Sequence, residues 1–457
     1  MKKKSSLIYI FLAALVFGGL GCKGTTAEQT ALVQPVQIEY WTVFNNMDEL
    51  RKLAAKYKQI RPYVKVNIRQ IRYEEFDKLF VNALADDVQP DVISVHSRWL
   101  KNYQSRLSPA PSSVQVARIT QTGGIQNQTI IEPLQIAIPN ARDIEQQYVK
   151  TVADDVIIDG DVYGLPIALD TLALYYNKGL LDASGVPLPP TTWGEILDIV
   201  KSATKFSQNG NVLQSAISIG TGKNIDNAAD ILALLLMQND VTVTEGTRVH
   251  FADGLKDNIE NNAARETLRF ITDFAKRTKE AYTWDTYLGN SLDAFIEGRS
   301  VFYIGYAFDL DRITSRAPQM NVEVVSLPQL NADNPVNIAN YWVESVVKKS
   351  DKQDVAWDFV RFLADEENVA AYTAGARRPT PLRSQIKAQQ ADPQLAPFAQ
   401  GLLTATNWYH GRNVDIATKA MQNLLDAYRE PYGEEDVPAE RDAQLIGNAA
   451  SLVQQSM

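Results

Sequence analysis

Between Val36 and Val43 apolar and polar residues alternate (Val36-Gln37-Ile38-Glu39-Tyr40-Trp41-Thr42-Val43), the period of a strand with one buried face. From Met47 to Ile60 the apolar positions fall at helical spacing instead. The pair repeats at once. Tyr63 to Ile71 is β-branched and alternating, Tyr73 to Ala85 is amphipathic, and Pro90-Asp91-Val92-Ile93-Ser94-Val95 is a short apolar strand entered through a proline. Strand, helix, strand, helix, strand predicts a parallel sheet covered by helices, which favours ligands at the carboxyl ends of its strands. Those ends are Phe44 to Asn46 and His96 to Arg98.

The stretch from Arg106 to Asn140 is rich in Ser, Pro, Gln and Thr and has little helical periodicity, so an irregular excursion is expected there. Val156 to Tyr163 then reads as a hairpin about Asp159-Gly160, because that pair suits a turn whose two central residues need positive φ. An apolar strand from Ala168 to Tyr176 follows. Pro189-Pro190 stop the preceding segment, and Thr192-Trp193-Gly194-Glu195 fits a capping box that opens a second α/β unit. Helices are predicted over Ala228 to Gln238, Ala263 to Thr278 and Leu292 to Glu297, the last closed by Gly298 ahead of a strand from Val301 to Ile304. Tyr341 to Val347 is strand-like, Ser350-Asp351-Lys352-Gln353 caps a helix through Leu363, and the C-terminal third reads as helices.

Composition adds a compartment. With 45% apolar and 22% charged residues over 457 positions, the chain is globular, of about two domains. Lys2, Lys3 and Lys4 precede an uncharged stretch from Leu7 to Leu20, shorter than the about 20 apolar residues a membrane span needs, so residues 1–21 read as a cleaved secretory leader. Cys22, the single cysteine, excludes a disulfide framework and a cysteine metal cluster. Gly19-Leu20-Gly21-Cys22 resembles a bacterial lipobox, with Gly19 where leucine usually stands, and the resemblance implies acylation of Cys22; an ordinary leader with an incidental cysteine is the other reading. Residues 22–35 are polar and read as a tether. The net charge is −9, or −12 once the three leader lysines are gone, which disfavours nucleic acid as a partner.

Catalytic patterns are missing. There is no HExxH and no GxSxG, and His96, His250 and His410 are too far apart in sequence to suggest a local metal site. Gly220-Thr221-Gly222-Lys223 has Ile217 and Asn224 where a phosphate loop needs Gly and Ser or Thr. A glycosidase carboxylate pair is set by space and stays open at this point.

Asp159-Gly160-Asp161-Val162-Tyr163-Gly164-Leu165-Pro166, Leu174-Tyr175-Tyr176-Asn177-Lys178 and Pro190-Thr191-Thr192-Trp193-Gly194-Glu195-Ile196-Leu197 follow in an order and spacing that resemble the extracellular solute-binding proteins of family 1, which include maltose-binding protein. The resemblance implies a two-lobed α/β fold, each lobe a mostly parallel sheet flanked by helices, with the ligand in the cleft between them. By position, the first lobe is 36–168 plus 341–398 and the second 169–340 plus 399–457, with crossings near Ala168-Leu169-Asp170 and Ala339-Asn340-Tyr341. The implied function is capture of a carbohydrate by lobe closure and delivery to the permease subunits of an ATP-binding cassette importer, by a monomer anchored outside the membrane, with no cofactor, metal or catalytic residue. A binder of polyamines or peptides and an exported glycoside-processing enzyme are the alternatives.

A sugar offers vicinal hydroxyls and apolar C–H faces, so its site calls for carboxylate or amide groups and aromatic rings. Asp170 stands where the resembling proteins carry an acidic ligand contact; a backbone cap or a hinge ion pair is its other reading. Asn45, Asn46, Ser97 and Arg98 end strands, and each asparagine is equally suited to capping a helix. Tyr306 and Phe308 follow a strand end at Gly305, where relatives place a stacking ring, and Trp342 sits at the second crossing. Trp408 and Tyr409, flanked by Asn407 and His410, are expected to be an exposed pair facing the cleft. Trp99 suits stacking or core packing, whereas Arg377 and Arg378 read as surface charges, with the clamping of an anionic group as their other reading.

Overall fold

The alternating start of the chain forms β1 (Val36–Thr42), and Asn46 caps the helix α1 (Met47–Ile60) by accepting from the backbone N–H groups of Asp48 and Glu49. β2 (Val64–Gln70), α2 (Tyr73–Ala85) and β3 (Val92–His96) complete the first unit, with β1 parallel to both β2 and β3. These come from a computed structural model that describes residues 32–122, 128–255 and 258–457; the expected leader, Cys22 and the tether as far as Ala31 lie outside them. Among the described residues no helix is long and apolar enough to cross a membrane.

The segment expected to be irregular is instead a two-stranded antiparallel ribbon, β4 (Ser113–Thr122) and β5 (Gln128–Ala137). Its polar composition hides it because Val114, Val116, Ala117 and Ile131 are buried while most of its other side chains meet solvent. The Asp-Gly hairpin forms as expected: Asp159 and Gly160 have φ of 55° and 89° between the short strands Ile157–Ile158 and Asp161–Val162.

The apolar run after Ala168 is broken into β6 (Asp170–Thr171), which crosses between the lobes, and β7 (Ala173–Asn177), which enters the second sheet. That lobe contains α3 (Trp193–Ala203), capped by Thr192 and Glu195 as the sequence predicts, β8 (Val212–Ile217), α4 (Ala228–Gln238) and β9 (Ser300–Gly305). α5 (Phe308–Arg316) and β10 (Val322–Ser326) follow. β11 (Asn337–Asn340) crosses back antiparallel to β6, and a third crossing, Ala405–Thr406, pairs parallel to β11. β12 (Trp342–Val346) re-enters the first sheet, followed by α6 (Gln353–Leu363), while α7 (Val414–Arg429) and α8 (Pro438–Ser456) close the second lobe. α6 starts at Gln353 without a side-chain cap from its N-cap residue Lys352; the Ser350 hydroxyl donates to Asp91 at 2.6 Å and accepts from the Lys352 N–H at 3.1 Å, ahead of the first turn. Two large apolar cores result, and membership switches between Leu169 and Leu172, between Ile338 and Ala339, and between Ala405 and Trp408.

The α/β two-lobed architecture agrees with the sequence reading, but strand direction needs a correction. In the second sheet only β8 and β9 pair in parallel; β7 is antiparallel to β9 and β10, and Lys205–Phe206 to β8. In the first, β12 is antiparallel to β3. The cause is the crossings. A strand fed from a crossing enters its lobe at the cleft end and must run away from it, so Ala173 starts opposite Gly305 and Trp342 opposite His96.

Gly222 lies where a Cβ would collide with the Gln422 carbonyl of α7, and its N–H donates to Asp426 at 2.8 Å. Gly447, on α8, has open space around it. Gly222→Ala should therefore destabilise by about 1–3 kcal/mol through overpacking, and Gly447→Ala should stabilise by about 1 kcal/mol through helix propensity, as read from urea midpoints.

Candidate ligand-binding site

The crossings bring the carboxyl ends of β1, β2 and β3 to face the carboxyl end of β9, and between them lies a cavity of about 730 Å³. At its floor the Arg98 guanidinium, from the turn after β3, donates to Asp230 on α4 at 2.7 Å, to Asn407 at 3.0 Å and to the Ala339 carbonyl at 3.4 Å. Asp230 also accepts from Tyr306 Oη and Trp408 Nε1, both at 2.6 Å. Burial alone would raise its carboxyl, but the charge of Arg98 and these donors outweigh that and hold it below the ordinary value. One buried ion pair thus joins the two lobes.

Asp170 stands at the first crossing, buried, with its carboxylate accepting from the backbone N–H groups of Thr171 and Ala307 at 2.9 Å and Phe308 at 3.3 Å. It caps the start of α5 and also lines the cavity. Burial pushes its carboxyl up to about 7, against the opposing pull of Arg378 and of those three N–H groups. His96 on the wall is held neutral by burial and by Arg98, down to about 4, and pairs with Asn340 Oδ1 at 2.7 Å. Asn45 is fixed from behind, since Nδ2 donates to Glu344 at 2.8 Å and Oδ1 accepts from Tyr372 at 3.0 Å.

Aromatic rings supply the remaining surface. Phe44, Tyr73, Trp99 and Trp342 come from the first lobe and Phe308 from the second, with Phe44 stacked on Phe308 across the cleft at 6.2 Å between centroids. Arg378 and Asp311 meet across the same gap at 3.9 Å.

Residues 52–397 match the family model of the bacterial extracellular solute-binding proteins. The chain belongs to that family. Solved structures with the same fold include the sugar-binding protein MalE of Xanthomonas citri, with TM-score 0.67 and 18% identity over 92% of this chain and 98% of that one. A cyclic alpha-maltosyl-1,6-maltose binding protein of Arthrobacter globiformis gives 0.69 and 14% over 91% and 99%. UgpB of Mycobacterium tuberculosis, in complex with glycerophosphocholine, gives 0.66 and 14% over 92% and 98%. A curated binding protein of Brucella abortus (strain 2308) is 36% identical over 69 residues, which span 15% of this chain and 16% of that relative.

In this solute-binding protein six of the residues singled out from sequence line the cavity: Asn45, Arg98, Trp99, Asp170, Phe308 and Trp342. The other five stand behind it. Asn46 caps α1, and the Ser97 hydroxyl is buried without a hydrogen-bond partner among the described residues. Tyr306 packs behind Phe308 at 5.6 Å. Trp408 and Tyr409 are not the exposed pair expected; both pack in the second core, where Tyr409 Oη donates to the Ser456 carbonyl at 2.6 Å. Polar Asn407 and His410 on either side reflect hydrogen bonds to the Arg98–Asp155 region, not solvent.

Phe44 and His96 lie in the strand ends the sequence marks for a ligand, whereas Tyr73, Asp230, Asp311, Tyr372 and Asp415 were passed over as site residues and Arg378 reads from sequence as a surface charge. Two signals were available. The strand-end rule applied to β2 leads to Tyr73, three residues past Gln70. Asp230 is a lone carboxylate in Ala-Ala-Asp-Ile-Leu-Ala-Leu-Leu-Leu, and a charge in so apolar a helix needs a partner.

Removing the carboxylate in Asp230→Ala leaves Arg98 buried and unpaired, and should cost about 3–5 kcal/mol in urea unfolding; a loss under about 1 kcal/mol would mean that the pair is dispensable. Asp170 gives a pH test. Its folded value of about 7 exceeds the ordinary 3.8, so the folded state holds a proton that the unfolded state has released. The stability of the wild type relative to Asp170→Asn should fall as pH rises from about 4 to about 7 and be flat above that range. A difference that rises across the window would contradict this assignment.

Proposed function

We propose that this solute-binding protein captures a carbohydrate by lobe closure and hands it to the permease subunits of an ATP-binding cassette importer. Lipid on Cys22 would keep it at the extracytoplasmic face of the membrane, and it acts as a monomer without catalysis. The observation that carries the reading is the cavity of about 730 Å³ whose rings supply stacking faces beside Asn45, Asn340 and Asp170. The sugar ligands named for the Xanthomonas and Arthrobacter neighbours support it.

A polycation is a poorer match, because Arg98, Arg312 and Arg378 offset most of the charge of Asp170, Asp230, Asp311 and Asp415. Glycoside cleavage is disfavoured as well, since Asp230 is tied to Arg98 and Asp170 to backbone N–H groups.

The test is a thermal-shift screen of the mature chain against mono- and oligosaccharides, polyamines and short peptides. A ligand at 100 times its Kd stabilises by about 2.7 kcal/mol. One saccharide class should respond, and Trp342→Ala should weaken it about tenfold, the size of a lost ring contact. Silence toward saccharides with a response to polyamines or peptides would refute the carbohydrate reading, and turnover of a glycoside would refute the non-catalytic one.

A further inference from the structure

Four of the cavity rings form a closed circuit. Phe44 lies 6.1 Å from Tyr73, Tyr73 5.1 Å from Trp99, Trp99 5.5 Å from Trp342, and Trp342 5.5 Å from Phe44. All four line the cavity and keep part of their surface accessible, Phe44 as much as 55%. Rings sequestered in a core need no ligand, but rings that keep accessible surface on a cavity offer it to whatever enters.

Charge on this wall is unbalanced in one direction. Every arginine lining the cavity has an anion: Arg98 with Asp230 at 2.7 Å, Arg312 with Asp309 at 3.0 Å, and Arg378 with Asp311 at 3.9 Å. Asp415, in the first turn of α7, lines the same cavity and has no hydrogen bond or ion pair among the described residues. Its field reaches the ring circuit, because it is the strongest charge acting on the Tyr73 phenol after burial. Trp408 and Phe308 each carry an arginine over the ring, at 5.3 and 6.0 Å. None of the four circuit rings has an arginine or lysine over it among the described residues.

Aromatic faces beside a free carboxylate attract a weakly hydrated cation, through the ring quadrupole and the full charge together. We propose that the solute bound here carries one positively charged nitrogen, seated on the Phe44–Tyr73–Trp99–Trp342 circuit beside Asp415. Within the carbohydrate reading, on which this rests, the ligand is then a sugar or polyol bearing an N-alkylated ammonium group.

Choline and its uncharged isostere 3,3-dimethylbutan-1-ol isolate the charge. In calorimetric titrations of the mature chain, choline should bind saturably and about tenfold or more tighter than the isostere. In Asp415→Asn, an exposed position whose melting should be unchanged, choline should fall to the level of the isostere. No saturable choline binding, equal affinity for the two probes, or full retention of the preference in Asp415→Asn each overturns the proposal. Choline binding together with silence toward every saccharide would sink the carbohydrate reading and leave the cation site standing.

Discussion

The buried Arg98–Asp230 pair fixes how the two lobes meet. A charge taken out of water is tolerated only when its partner and all its remaining hydrogen-bond positions are provided. Here Arg98 comes from the first lobe, Asp230 from the second, and Asn407, Trp408 and the Ala339 carbonyl from the crossings between them. No one lobe could bury its own half of this arrangement without cost. The floor of the cleft is therefore specified to within a hydrogen bond, and the walls are built outward from it.

The contacts nearer the mouth are of another kind. Phe44 on Phe308 is one ring pair, worth about 0.5–1.5 kcal/mol. Arg378 and Asp311, partly open to solvent, add about 0–1 kcal/mol. Such terms can bias the lobes toward one another without locking them, which fits the lobe closure proposed above. A rigid floor and a weakly held mouth separate two tasks, positioning and response, within one cavity.

How much of this is legible in the sequence depends on the range of the interaction that decides each feature. The Asp159-Gly160 turn and the Thr192–Glu195 capping box are settled by neighbours within a few residues, and both appear where the sequence puts them. The ribbon of β4 and β5 is hidden in the sequence because its few buried residues, Val114 and Val116 on one face and Ala117 and Ile131 on the other, are diluted by polar residues facing solvent. The expected mostly parallel sheet holds in the first lobe and fails in the second, since strand direction follows from where the chain crosses, not from local composition. At the site, Trp408 and Tyr409 looked exposed because their polar neighbours are satisfied by Asp155 and Arg98, far away in the chain.

By itself the sequence determined that alternating and helical periods build two α/β units, and its motif order pointed to a binding fold with Asp170 at a crossing. Periodicity and turn chemistry are local, so a linear text carries them. Tertiary structure alone decided which carboxylate meets which guanidinium, that Phe44, Tyr73, Trp99 and Trp342 close into one circuit, and that Asp415, on the same cavity, has no partner among the described residues. Those facts depend on residues up to some three hundred positions apart being brought within a few ångströms, such as Asn45 and Glu344 at 2.8 Å, and only the packed chain fixes that.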